Sequence, residues 1–276
     1  MEIERIYSEF LDFKNKDYKE KHKGLEKHFS ASSAGSCYKK HLFKITDAPL
    51  KDFEDRSQRI MRLGTLVHQD FEDSMKHYLE ENKDIYATST TGEGIATIFY
   101  NRNEKMEHDY TFYVEHKIII PELNIAGHLD FAVINKQKKE ITVYDYKTAG
   151  TYKWSLKFGR KYKDKNPNFN YEMQLSTYLM GLESELTFTP EVKQMLIVWY
   201  NKDTSRMREE VIQSRFIEMA KSYWEELNEW RKEIENKDPE LEDYNNVNET
   251  ISRYREVGVP FQDWECKYCP YDHICK

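Results

Sequence analysis

The run Gly127-His-Leu-Asp130-Phe-Ala-Val-Ile-Asn-Lys-Gln-Lys-Lys-Glu-Ile-Thr-Val-Tyr-Asp145-Tyr-Lys147 decides how this chain is read. Two stretches rich in β-branched and aromatic residues flank a polar turn at Lys136–Lys139, the pattern of an antiparallel hairpin. With Asn135 opposite Glu140, Ile134 faces Ile141, Ala132 faces Val143, Asp130 faces Asp145 and His128 faces Lys147. Apolar residues meet for two rungs, and then carboxylate meets carboxylate. A slip of one residue would destroy both matches. Facing Cβ atoms stand roughly 5 Å apart, and the two acids continue the face that Ile141 and Val143 mark as buried. Unpaired buried carboxylates are costly, so something positive is expected between them. A divalent cation with oxygen ligands fits, and Lys147 emerges on the same side. On pattern alone, Asp130, Asp145 and Lys147 also fit a solvated ion-pair cluster at a strand end.

Outward from the hairpin, Tyr110–Ile120 and Ile95–Tyr100 read as strands before it, and Val192–Tyr200 as an apolar, central strand after it. Arg206–Gln213 pairs beside that last strand. Apolar residues Ile60, Leu63, Val67, Phe71, Met75 and Tyr78 recur every three or four positions between Asp52 and Glu81, which predicts a long helix with one buried stripe. Further helices are expected over residues 1–29, from Cys37 to Ile45, from Tyr171 to Glu183 and from Ser214 to Asn236. The order is helices, three or four strands, a helix, one or two strands and a helix, which a mixed α/β sheet flanked by helices satisfies. One domain is expected over 1–276: an N-terminal helical segment 1–51, a core 52–236 and a C-terminal segment 237–276.

With 39% hydrophobic, 33% charged and 14% aromatic residues in 276, the chain can fill a sizeable core and is not of disordered composition. No stretch approaches the roughly eighteen apolar residues of a membrane span. The start, MEIERIYSEF, has no apolar signal region, so a cytoplasmic location is expected, the host cytoplasm if the chain is viral. A net charge of −7 argues mildly against coating DNA or an anionic membrane, but is silent about local patches. One such patch follows Lys147. Thr151–Lys165 carries Lys153, Lys157, Arg160, Lys161, Lys163 and Lys165, interleaved with Tyr152, Trp154, Phe158 and Tyr162. Cations for phosphates and rings for bases are what single-strand binding needs; a solvated lysine-rich loop is the plainer alternative.

Four cysteines are too few for a disulfide scaffold, and three of them crowd the end as Cys266-x2-Cys269-x5-Cys275. Thiolates so spaced grip a metal. The fourth ligand is Cys37 or His273, and zinc and an iron–sulfur cluster both remain open.

Taken together these residues resemble the RecB-type branch of the PD-(D/E)xK nuclease superfamily, above all its iron–sulfur members, such as the CRISPR-adaptation exonucleases and the AddB nuclease domain. Gly64-Thr-Leu-Val-His68 resembles the first motif of that family, Gly127-His-Leu-Asp130 the second, Asp145-Tyr-Lys147 the third, and Gln174-Leu-Ser-Thr-Tyr178 the Gln-x3-Tyr motif. Cys37, Cys266, Cys269 and Cys275 match its cysteines in order and spacing. Leu129 stands where the superfamily name has proline, and Tyr38-Lys39 follows Cys37 where relatives often carry Pro or Arg.

The resemblance implies an αβββαβ core whose N- and C-terminal segments are joined by a 4Fe–4S cluster on the four cysteines. It implies a metal-dependent DNA exonuclease acting on single-stranded DNA or DNA ends in recombination, repair, replication or CRISPR adaptation, beside a helicase or other partner protein. His68, Asp130, Asp145 and the Tyr146 carbonyl would hold Mg2+ or Mn2+. Lys147 would orient the attacking water, Gln174 would position Lys147 or that water, and Tyr178 would touch the DNA backbone together with Lys153, Trp154, Lys157, Arg160 and Lys161. Glu115 is a further acid expected near the metal. The competing expectations are a non-catalytic nucleic-acid-binding subunit of the same fold and a zinc-stapled structural protein.

Overall fold

The structure, a computed structural model, describes residues 3–21, 27–51, 55–82, 86–90, 97–101, 110–159, 169–251 and 264–275. In chain order its elements are α1 (Ile3–Lys21), β1 (Phe29–Ser30), α2 (Tyr38–Ile45), α3 (Asp55–Glu81), β2 (Tyr86–Thr90), β3 (Thr97–Asn101), β4 (Tyr110–Ile120) and β5 (Ile125–Asn135). There follow β6 (Glu140–Ala149), α4 (Thr151–Phe158), α5 (Phe169–Glu185), β7 (Val192–Asn201), β8 (Met207–Val211), α6 (Phe216–Glu235), α7 (Asn245–Thr250) and α8 (Trp264–Lys267). One sheet runs β2-β3-β4-β5-β6-β7-β8, with the short β1 parallel to β5. Along that order every neighbouring pair is antiparallel except β6 and β7. A parallel pair needs a crossover, and α4 and α5 supply it. Elements α3, β4, β5, β6, α5 and β7 give the expected αβββαβ order. The apolar strand β7 lies one place in from the β8 edge rather than at the centre, which β5 occupies.

The hairpin register is the one the alternation dictates: Ile134 pairs with Ile141 and Ala132 with Val143. Asn135 also builds the turn, its side-chain oxygen accepting from the Lys138 amide at 3.0 Å. The ladder stops at Phe131–Tyr144, one rung short of the expected Asp130–Asp145 pair. The cause lies in β4 and β5. Their register is constant, yet the rung joining Glu115 to Asp130 is absent, and Glu115 takes φ +50°. Residues two apart on a strand share a face. Here Ile118 and Leu129 join the core under α5, whereas Val114 and Phe131 join the one under α3. Both strands therefore exchange faces at that rung. A left-handed backbone at a residue with a Cβ costs on the order of 1–3 kcal/mol and marks a place worth examining for function.

Two apolar layers sandwich the sheet. The larger contains Leu175, Tyr178 and Leu179 of α5 with Ile141, Val143 and Ile197 of the sheet, and α6 packs over α5 through Tyr223, Trp224 and Leu227. The buried Trp224 indole donates to Thr177 Oγ1 at 2.8 Å. The smaller layer joins Phe71, Met75 and Leu79 of α3 to Val114, Phe131, Tyr146 and Val198. The long apolar stripe of α3 is thus only partly covered: Phe71 and Met75 pack, while Ile60, Leu63 and Tyr78 stay exposed. The first half of α3 instead meets α1, where Ser8 Oγ donates to Asp55 Oδ2 at 2.7 Å. Among the described residues no helix is long and apolar enough to cross a membrane.

Gly127 shows why the second motif needs glycine. A Cβ there would lie 2.7 Å from the Ala31 Cβ and 3.2 Å from the Tyr178 ring. The turn at Ala31–Ser33 and helix α5 both close on this point of β5.

Candidate active site and cysteine site

Helix α3 approaches β6 across Gly64, where an added Cβ would meet Thr148 Oγ1 at 3.5 Å. One turn later His68 reaches the strand, and Phe71 stacks on the Tyr146 ring at 4.6 Å. His68 Nε2 then stands 3.0 Å from the Tyr146 carbonyl oxygen and 3.1 Å from Asp130 Oδ2. Asp130 Oδ2 also accepts from the Tyr146 amide at 2.6 Å, a side-chain bond replacing the ladder that ended one rung earlier. The exchange of faces in β4 turns Glu115 toward the same spot. His68, Glu115 and Asp130 each offer a ligand atom within 4.8 Å of the others. A nitrogen, two carboxylates and an adjacent carbonyl form a donor set suited to Mg2+ or Mn2+.

The electrostatics agree with a cation site. Burial first, then the neighbouring charges of Asp130 and Glu72, pushes the Glu115 carboxyl up to about 8. Burial works to lower His68, but its contact with the Asp130 carboxylate outweighs this and lifts it to about 9. Both groups thus carry protons at neutral pH, and a cation must displace them. Apparent Mn2+ affinity is therefore expected to rise with pH through the range from about 7 to about 9, by up to about tenfold per pH unit for each proton released, and then to level off. Mn2+ titrations followed by electron paramagnetic resonance measure it. Glu115→Gln should flatten the slope, and a pH-independent affinity would contradict the assignment.

Asp145 lies beside this trio and not within it. It is fully buried, with Oδ2 2.5 Å from Lys147 Nζ and Oδ1 accepting from Gln174 Nε2 at 2.9 Å. Burial pushes the acid upward against the pull of Lys147. The Lys147 ammonium is disfavoured by burial but held charged by Asp145 and Asp130 together. Its side chain keeps 18% exposure, so it can reach a substrate.

Tyr178 departs from expectation. It is 2% exposed, and its hydroxyl accepts from Gln174 at 3.1 Å, so it supports Gln174 from within the core and cannot touch DNA. It shares a helix face with Gln174, and that face is turned to the sheet, against Asp145 of β6 and Gly127 of β5. The basic segment also differs from a loop, because its first half is α4. Lys153 Nζ donates to the Tyr171 hydroxyl at 2.9 Å. Trp154 is half-buried, edge-on to Phe158 at 4.7 Å. Lys157 is only 12% exposed and pairs with Glu210 Oε1 at 2.5 Å, so its charge is largely spent within the protein. Arg160, Lys161, Lys163 and Lys165 lie outside the described residues. The aromatic that α4 does present is Tyr152, 79% exposed. Arg208 of β8, exposed beside α4 and 4.5 Å from the Phe158 ring centroid, is a cation that sequence reading missed. Fifty residues separate it from α4, and no linear pattern joins them.

At the N-terminal end of α5 all four cysteines line one cavity of about 260 Å³, together with Lys39, Lys40, Asn170, Glu265, Tyr268 and Asp272. Cys37 forms the N-cap of α2, where the helix dipole favours a thiolate. His273 is not among the lining residues, whereas Cys37 is. The C-terminal segment is fastened to the N-terminal one besides: the Lys51 amide donates to the Pro270 carbonyl at 2.9 Å, and Tyr271 packs on Phe43 at 5.5 Å.

The PD-(D/E)XK nuclease superfamily pattern matches residues 22–276, and the chain belongs to that superfamily. It is accordingly a nuclease, an enzyme of phosphodiester hydrolysis. No curated protein matches it significantly. Among solved structures it is similar to SSO0001, at 16% identity and TM-score 0.46, with 98% of this chain and 96% of that one covered. A Eubacterium rectale protein gives 15%, 0.44, 92% and 92% in the same terms. The alkaline exonuclease LHK-Exo of Laribacter hongkongensis gives 12%, 0.38, 81% and 99%.

Proposed function

We propose that this chain is a metal-dependent DNA exonuclease that prefers single-stranded DNA or DNA ends. The observation that carries this is the convergence of His68, Glu115, Asp130 and the Tyr146 carbonyl on one spot beside Lys147. These residues, with Asp145, would hold Mg2+ or Mn2+, which polarises the scissile phosphate and makes water a better nucleophile. The chain's own part is positional. The Lys147 ammonium orients the attacking water and offsets the charge that grows on the phosphoryl oxygens. Gln174 fixes Asp145, and Tyr178 fixes Gln174. Lys153, Tyr152 and Arg208 offer the substrate strand cations and a ring on the side of α4. A role in recombination, repair, replication or CRISPR adaptation, with a helicase or other partner to separate strands, fits an enzyme that acts on ends. The test is degradation of labelled single-stranded DNA with Mg2+ or Mn2+ against chelator. Degradation that survives complete chelation would sink this reading.

The second part of the reading is a 4Fe–4S cluster on Cys37, Cys266, Cys269 and Cys275. Four thiolates about 2.3 Å from one zinc would stand roughly 3.8 Å apart. Among the described residues no three of the sulfurs lie within 4.8 Å of one another, and what supports the reading is that all four cysteines line one cavity. Two cations, Lys39 and Lys40, and two acids, Glu265 and Asp272, line the same cavity. The cluster would tie the N-terminal helices to the C-terminal segment within one nuclease domain. Anaerobically purified protein should then be brown and contain iron and acid-labile sulfide in equal amounts, about four of each. Colourless protein with stoichiometric zinc would contradict it.

A further inference from the structure

Helix α5 touches both halves of the buried ion pair. Gln174 holds Asp145, and Tyr171, one turn earlier on the same face, holds Lys147. The Lys147 ammonium stands 5.1 Å from the Tyr171 ring centroid, and that of Lys153 stands 4.7 Å from it. The Tyr171 hydroxyl accepts from Lys153 at 2.9 Å. Trp199 packs against the Tyr171 ring in a T-shaped contact at 5.8 Å. One half-buried aromatic thus links the lysine of the third motif to the first lysine of the substrate-side helix.

We propose that Tyr171 is a positioning residue with two separable parts, a ring that holds Lys147 and a hydroxyl that holds Lys153. The proposal rests on the nuclease reading above. Lys147 has two partners, a carboxylate and a ring. When Asp145 engages anything else, the ring face is what keeps the ammonium in place, and a cation over a desolvated aromatic is favourable. The hydroxyl meanwhile fixes Lys153, whose task is to meet a phosphate of the strand. Ring and hydroxyl should therefore appear in different kinetic constants.

The experiment compares Tyr171→Leu, Tyr171→Phe, Lys153→Ala and the Tyr171→Phe/Lys153→Ala double variant on labelled single-stranded DNA with Mn2+. Tyr171→Leu should lower kcat about tenfold, and Tyr171→Phe should recover most of that loss. Tyr171→Phe should instead raise KM for DNA about threefold or more, an effect that vanishes in the Lys153→Ala background. Equal kcat losses in Leu and Phe variants, or additive KM effects of Tyr171→Phe and Lys153→Ala, would overturn the proposal. If Tyr171→Leu does not fold by circular dichroism, the Phe–Lys153 cycle decides alone. Wild-type protein that fails to cleave under the same conditions refutes the nuclease reading itself, a result distinct from any of these.

Discussion

Lys147→Ala should lower DNA cleavage by about a thousandfold, some 4 kcal/mol of transition-state stabilisation, and leave Mn2+ binding within a few-fold of wild type. The reason is the division of labour in the site. The three groups that converge on the cation position are His68, Glu115 and Asp130, and Lys147 is not one of them. Its ammonium pairs with Asp145 on the neighbouring side of the strand. Removing it takes away the ammonium proposed to offset charge on the phosphoryl oxygens and leaves His68, Glu115 and Asp130 in place. In the variant the fully buried Asp145 keeps its bond from Gln174, and the bound cation would be its remaining positive partner. Single-turnover cleavage measured beside Mn2+ titration separates the two effects. A variant that loses both equally would mean that Lys147 builds the site and does not act in it.

Asp130→Asn should have the opposite distribution. Asp130 Oδ2 accepts from the Tyr146 amide and contacts His68, so one carboxylate fixes a strand, a helix residue and the cation position together. The amide oxygen can still accept one bond, and its neutral charge should cost Mn2+ affinity about a hundredfold, with cleavage lost in step. His68 supplies an independent readout. It is held at about 9 because Asp130 overcomes the effect of burial, so in metal-free Asp130→Asn it should titrate well below that value. Nuclear magnetic resonance of the His68 ring against pH measures the change directly. An unchanged titration would show that Asp130 is not the group acting on His68.

Much of this was legible in the sequence, for physical reasons that also set the limits. The β5–β6 register follows from apolar residues that must share a face, and Ile134–Ile141 and Ala132–Val143 obey it. The rule fails one rung later, because Glu115 at φ +50° lets β4 and β5 exchange faces, and no periodicity encodes that exchange. The same exchange turns Glu115 toward His68 and Asp130, which sequence reading had as a further acid without a stated ligand role. Cysteine spacing pointed to one shared site, and all four cysteines line one cavity. The substrate side was harder. Lys157 looks free along the chain, but Glu210 comes from a strand some fifty residues away, and Tyr178 is buried against Gly127 of β5, a strand its own motif does not contain. The apolar stripe of α3 reads as buried throughout, yet Phe71 and Met75 pack while Ile60, Leu63 and Tyr78 stay exposed.

The measurement that bears most directly on the central claim is a time course of Mn2+-dependent degradation, comparing end-labelled linear single-stranded DNA with the same sequence closed into a circle. The account predicts steady loss of label from the linear strand, an intact circle over the same period, and no degradation of either with chelator present. Cutting the circle as fast as the linear strand would contradict action from ends, and cutting under chelator would contradict the metal site formed by His68, Glu115 and Asp130.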